Sequence, residues 1–169
     1  MATSQEKAEA KKRLNMRDPW HLLATGFGSG LSPIVPGTMG SLAAIPFWLL
    51  MINLPVWLCW AIIVVGFIIG CYICQRTSDD MKIHDHGSIV WDEFIGMWIT
   101  LMAIPVVNVA WVLTAFVVFR IYDMWKPWPI RIFDRKVSGG FGIMIDDIIA
   151  AIFAYFTVWL CVWYKLLPF

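Results

Sequence analysis

Most of the residues in this sequence that can do chemistry fall into three short blocks. The first reads His84-Asp85-His86-Gly87-Ser88-Ile89-Val90-Trp91-Asp92-Glu93-Phe94, and its Asp92 and Glu93 open directly onto an uncharged stretch. Acidic side chains at a helix start interact favourably with the helix dipole, by about 0.3–1 kcal/mol. Two adjacent carboxylates beside an apolar run exceed what capping requires, because ionisable groups at that depth are costly and usually mark function. If the block is helical, His84, Ser88 and Asp92 share a face, with Gly87 as the weak point. The second block, Arg120-Ile121-Tyr122-Asp123-Met124-Trp125-Lys126-Pro127-Trp128-Pro129-Ile130, repeats a charge every three residues at Arg120, Asp123 and Lys126. That spacing sets a carboxylate between two cations along one helix face, which Pro127 helps to terminate. It reads either as a structural ion-pair ladder or as a metal-holding Asp123 with Arg120 and Lys126 on phosphate oxygens. Arginine would grip phosphate as a planar fork and lysine as a point charge.

The third block is Ser138-Gly139-Gly140-Phe141-Gly142-Ile143-Met144-Ile145-Asp146-Asp147. Glycines let backbone approach a ligand closely, and successive N–H groups can cradle an anion. Asp146 and Asp147 are expected to open the last apolar helix, as Asp92 and Glu93 open an earlier one. Similar turns lie at Gly26-Phe27-Gly28-Ser29-Gly30 and Pro36-Gly37-Thr38-Met39-Gly40-Ser41; on their own they are equally well read as tight turns. Together the blocks supply five carboxylates, Asp92, Glu93, Asp123, Asp146 and Asp147, at expected helix ends. Oxygen-rich sets of this kind suit a hard cation such as magnesium, completed by water and phosphate. Arg120 and Lys126 supply the counter-charge that a phosphate monoester needs. The residues therefore point to a metal-assisted phosphate site at a membrane boundary and leave its substrate open.

The elements that must position these groups are apolar helices. Pro55–Cys74 is an uncharged run of 20 residues, and about 20 helical residues cross the hydrocarbon core. Ile148–Tyr164 is a second such run, and Val35–Leu54 a third, weakened by Gly37, Gly40 and Pro46. Phe94–Phe119 is too long for one span and rather short for two; Pro105 and Asn108 near its middle predict two short helices with a turn between them, with a single tilted helix as the alternative. Ionisable residues gather in the first 30 positions, in Arg76–Glu93 and in Arg120–Asp147. A five-helix arrangement places all three regions on one side, and the basic N-terminal segment marks that side as cytoplasmic by the positive-inside bias. The expected fold is all-α, a multi-pass membrane protein with about four to five embedded helices. Residues 1–19 are expected as a polar cytoplasmic tail and 20–169 as a single membrane-embedded domain.

Composition agrees. Hydrophobic residues make up 60% of the 169 and charged residues 15%, with mean hydropathy +0.71; soluble domains average about 25% charged. The formal net charge of +1, with no basic stripe, excludes a nucleic-acid partner. Cys71 and Cys74 form a C-x-x-C pair inside an apolar run and read as buried thiols, since zinc wants four convergent ligands. Met1–Arg17 is polar and lacks the apolar core of a secretory signal.

At these same residues the sequence resembles the bacterial phosphatidylglycerophosphatase A family. The matching stretches are W-H-L-L-A-T-G-F-G-S-G-L-S-P-I-V-P-G-T-M-G-S, H-D-H-G-S-I-V-W-D-E-F-I-G-M-W-I-T-L-M-A, F-R-I-Y-D-M-W-K-P-W-P-I-R-I-F-D-R and G-G-F-G-I-M-I-D-D-I. The resemblance covers about Asn15 to Phe153. It implies magnesium-dependent hydrolysis of phosphatidylglycerophosphate to phosphatidylglycerol and phosphate at the bacterial inner membrane, the last step of phosphatidylglycerol synthesis. Residue chemistry at the matching motifs then gives expected roles. Asp92, Glu93, Asp123, Asp146 and Asp147 would hold magnesium, and Arg120 and Lys126 would stabilise the phosphoryl charge. Gly37, Thr38, Ser41, Gly139, Gly140 and Arg131 would bind the substrate. His84 or His86 would protonate the departing alkoxide. Membrane lipids are the implied surroundings; nothing in the sequence sets an oligomeric state.

Three other readings compete. A phospho-alcohol transferase should show D-x-x-D-G and a late D-x-x-x-D, which are absent. A cation or phosphate transporter would place its carboxylates near the midplane, with inverted repeats. A small assembly subunit would lose no chemistry on Asp92→Asn. Among phosphatases, the Cys-x5-Arg loop, the D-x-D pair and the P-S-G-H motif are missing, which favours direct attack by water.

Overall fold

A computed structural model describes residues 3–128, 130–132 and 137–166. Among these every regular element is helical and none is a strand. The helices are α1 (Ser4–Lys12), α2 (Pro19–Ala24), α3 (Pro36–Met51), α4 (Val56–Met81), α5 (Trp91–Leu101), α6 (Val109–Trp125) and α7 (Gly139–Trp163), with a 3-10 turn at Ser29–Leu31.

Helix α5 is the central post. It packs against α3, α4, α6 and α7, and ten of its eleven residues are buried, Glu93 excepted. A helix that is apolar all round belongs inside a bundle. Two indoles fix its position: Trp91 Nε1 donates to Gly66 O on α4 (3.0 Å) and Trp98 Nε1 donates to Ala44 O on α3 (2.9 Å). A buried indole N–H needs such an acceptor.

The uncharged stretch 94–119 breaks where its sequence predicts. α5 ends at Leu101, and α6 starts at Val109 with Asn108 capping it by accepting the Trp111 N–H at 2.9 Å. This turn and the α3–α4 turn lie at the same end, since Ile52, Leu54, Pro105 and Val106 line one cavity there. The starts of α3, α5 and α7 and the ends of α4 and α6 therefore share the opposite end.

Two helices, α4 and α7, are long and apolar enough to cross a membrane. At about 1.5 Å per residue they measure roughly 39 and 37 Å. Their outer faces are apolar and exposed, with Val64, Ile68 and Tyr72 on α4 and Phe156, Trp159 and Trp163 on α7. Leu50 on α3 and Leu113 on α6 continue the same surface. Exposed apolar area on this scale needs a lipid partner, and the chain is membrane-associated.

Three local expectations are corrected. Asp146 and Asp147 lie two turns inside α7, which already starts at Gly139. The reason is close packing: a Cβ on Gly140 would collide with the Cys71 carbonyl, so the glycines let α7 begin early, tight against α4. Residues 82–90 are not helical, and Asp85 has φ 51°, so His84, Ser88 and Asp92 share no helix face. Helix α4 continues past Cys74 to Met81, because nothing in Gln75–Asp80 breaks it. Asp79 and Asp80 thus sit in its last turn.

The segment before residue 20 carries a docked helix. Ala10 is buried, Lys11 Nζ donates to Leu31 O (2.6 Å), and Arg13 donates to Met81 O (2.9 Å). These contacts hold α1 at the charged end.

Candidate active site

The five expected carboxylates all lie at this charged end, sorted into two kinds. Asp92, Glu93 and Asp147 present oxygens that all lie within 4.8 Å of one another. Asp92 and Glu93 come from the first turn of α5, and Asp147 from two turns into α7. The other two carboxylates are ion-paired. Asp123 meets the Arg120 guanidinium one turn earlier on α6, and Asp146 meets Lys126 Nζ at 2.5 Å. Neighbouring aspartates on α7 thus face different partners: Asp146 reaches Lys126 at the end of α6, and Asp147 reaches the start of α5 and lies beside Asp123 on α6.

Arg120 links the two kinds. Its Nη1 lies 3.9 Å from Glu93 Oε1 and donates to Ser41 Oγ at 3.4 Å. Ser41 is buried, and its hydroxyl donates to Gly37 O at 3.1 Å. Helix α3 therefore meets the cluster through its first turns, where N–H groups and the helix dipole favour an anion. Gly37 allows this approach: a Cβ there would strike Glu93 Oε1. Its evident task is to let α3 close on the carboxylate, a role that its type alone does not reveal. Thr38 is half-buried beside Arg120.

Several atoms are left open. Glu93 Oε2, Asp147 Oδ2 and Arg120 Nε are buried with no hydrogen-bond partner among the described residues. Buried polar atoms are normally satisfied. Five acidic groups also converge here against the two cations Arg120 and Lys126, and uncompensated buried charge is strongly unfavourable. A divalent cation at Asp92, Glu93 and Asp147 would engage open carboxylate oxygens and offset the crowded negative charge, and carboxylate oxygens are the right donors for magnesium. The residues present fit that ion.

The other expected site residues sit elsewhere or are already engaged. Gly139 N–H donates to His84 Nε2 (2.9 Å) and Gly140 N–H donates to Gln75 Oε1 (2.7 Å). Those amides cap α7, whose Ser138 makes no side-chain cap. They are not free to cradle phosphate. His84 lies at the start of α7, about 12 Å along the axis from Asp147. His86 has both nitrogens occupied: Nε2 donates to Lys7 O (3.0 Å), and Nδ1 accepts the Ser88 N–H (3.1 Å). Burial pushes its imidazole below the usual value, opposed by the Lys7 carbonyl bond. It is a neutral staple between α1 and the loop before α5. Arg131 is exposed in a helical turn at 130–132. Gln75 was missed in the sequence because an uncharged amide in an apolar run carries no motif.

Comparison with known proteins follows the same residues. The family model described as Phosphatidylglycerophosphatase A matches residues 22–162. A curated Phosphatidylglycerophosphatase A of Escherichia coli (strain K12) is 67% identical over 148 residues, covering 88% of this chain and 86% of that protein. The protein of the same name from Haemophilus influenzae is 51% identical over 148 residues, covering 87% and 91%. A Bacteroides thetaiotaomicron protein, 35% identical over 84% of this chain and 92% of its own length, carries the provisional name phosphatidylinositol-3-phosphatase. No solved structure matches the chain.

Proposed function

The chain belongs to the phosphatidylglycerophosphatase A family, whose reaction, hydrolysis of phosphatidylglycerophosphate to phosphatidylglycerol and phosphate, it carries out, and we propose that the reaction takes place at the Asp92–Glu93–Asp147 cluster. The observation that carries this reading is three carboxylates within 4.8 Å of one another beside an arginine whose Nε has no partner among the described residues.

Asp92, Glu93 and Asp147 would hold magnesium, which when bound supplies positive charge that polarises the phosphoryl group and eases deprotonation of water. Arg120, steadied by Asp123 and Ser41, turns its open Nε toward the phosphoryl oxygens and offsets their charge. Lys126 is held by Asp146 at the same end and adds a second cation. The first-turn amides of α3, with Thr38, complete the anion-binding side. Water attacks phosphorus, and a carboxylate oxygen of Glu93 or Asp147 that does not hold the ion takes its proton. The bond from phosphorus to the glycerol oxygen breaks, that oxygen receives the proton the carboxylate took from the water, and phosphate leaves. Asp123 and Asp146 hold and orient the two cations in this scheme, and neither histidine is needed.

In the membrane, α4 and α7 cross, while α3, α5 and α6 complete an embedded five-helix bundle. Helix α5, about 17 Å long, is sheathed by the others and need not span. Lys7, Lys11, Lys12, Arg13 and Arg17 all lie on the segment docked at the charged end, which the positive-inside bias assigns to the cytoplasm.

The test is phosphate release by purified protein from phosphatidylglycerophosphate in detergent, with magnesium or with a chelator. Release that needs magnesium supports the scheme. Undiminished release in chelator would overturn it.

A further inference from the structure

A groove of about 470 Å³ opens on the lipid-facing side between the start of α3 and one face of α6. Phe116, Val117, Ile121 and Met124 line it, with Thr38 and Arg120 as its polar members. Val117 and Ile121 are each 50% exposed and Met124 69%, so the groove faces outward along the helix. Arg120 belongs to both places: it lines the groove, and its guanidinium meets Asp123 and approaches Glu93. The groove is thus continuous with the carboxylate cluster through one cation, whose side chain is 13% exposed. Its polarity is graded in the direction a lipid requires. Phe116 and Val117 lie one turn deeper than Arg120, because α6 runs from the uncharged end toward the charged end. Met124 and the exposed Trp125 lie one turn nearer the charged end, where an indole suits the interface.

We propose that this groove is the lateral entry for the lipid substrate, seating one acyl chain against Phe116 and Val117 while the phosphorylated headgroup passes Arg120 into the cluster. The inference rests on the cluster being the hydrolytic site. Bilayer tails are as apolar as the groove, so the groove gives position rather than affinity. Filling it obstructs the chain, whereas widening it does little.

The test compares two substrates: dioleoyl phosphatidylglycerophosphate in mixed micelles, and its deacylated headgroup, glycerophosphoglycerophosphate, in water. Val117→Trp and Ile121→Trp are expected to lower kcat/KM on the dioleoyl lipid at least tenfold, since small misplacements of a reacting group cost about that or more. Both are expected to leave turnover of the deacylated compound within twofold. Ile68→Trp, on the exposed face of α4, controls for bulk at the lipid surface. A second measurement uses wild-type protein and a substrate with a diazirine on one acyl chain, expected to label the 116–124 peptide. Unchanged lipid turnover in both tryptophan variants, equal loss on both substrates, or labelling confined to α4 and α7 would each overturn the groove. A wild-type protein active on the lipid would still keep the hydrolytic reading in each of those cases. Wild-type protein inactive on the lipid would end that reading and the groove with it.

Discussion

Two charged groupings occupy the same end of the bundle, and they are built differently. The first joins α2 to α4. His21 accepts the Asn15 N–H on Nδ1 and donates from Nε2 to Asp80 at 3.0 Å. Arg76 reaches Asp18 at 3.4 Å and Asp80 at 4.0 Å, and its guanidinium lies over the Trp20 ring. Asp18 also caps α2 by accepting the Trp20 N–H. Acids and bases alternate, and each named group has a partner. The second grouping is Asp92, Glu93 and Asp147 beside Arg120, where like charges adjoin and buried atoms are left open. A closed network fastens two helices. An open one leaves oxygens that a group outside the chain can engage.

The difference can be broken most sharply at the open grouping. Asp147→Asn and Asp92→Asn are expected to lower phosphate release by about a hundredfold or more, as when a preorganised electrostatic partner is removed. Their melting temperatures without magnesium should equal or exceed that of the wild type, because each removes one of several crowded buried charges. Phosphate assays and thermal melts on the same samples check this; normal turnover in both variants would remove the cluster from the reaction.

The closed grouping should respond in the opposite way. His21→Ala leaves the Asn15 N–H and one Asp80 oxygen without their partner. The expected loss is about 1 kcal/mol of stability, the scale of a typical hydrogen bond, with turnover at low temperature within about twofold of wild type. A variant as stable as wild type but inactive would show that the two groupings do not divide the work in this way.

The smallest expected effect concerns His86. Burial favours its neutral form, so its folded value lies below the ordinary one of 6.5. The stability it contributes is present above that value and is lost as pH falls below it. Between pH 7.5 and 5.5 the melting temperature of wild type should therefore fall more than that of His86→Gln. Parallel curves would show that the imidazole is not held neutral by the fold.

Much of the architecture was legible because membrane burial leaves few choices. Ionisable residues cannot be spread through apolar runs, so the three blocks had to meet at helix ends, and Pro105 with Asn108 marked the turn between α5 and α6. The sorting of the five carboxylates was not legible. Lys126 pairs with Asp146 across 20 positions, and one step along α7 sets Asp147 among Asp92, Glu93 and Asp123. That choice depends on how α7 is rotated against its neighbours, which no local pattern states. Gly140 misled for a related reason: it read as an anion cradle, yet it is there because the Cys71 carbonyl comes too close for a Cβ. His84 and His86 carry side chains fit for acid catalysis, and the fold uses both as hydrogen-bond partners for backbone.

Thermal melts of purified wild type and Asp147→Asn, with and without magnesium and with no lipid substrate, address the cluster most directly. An ion bound only by the folded state raises its melting temperature, so magnesium should stabilise the wild type by several degrees and leave Asp147→Asn nearly unmoved. An equal shift in both proteins, or none in the wild type, would contradict a divalent-ion site at Asp92, Glu93 and Asp147.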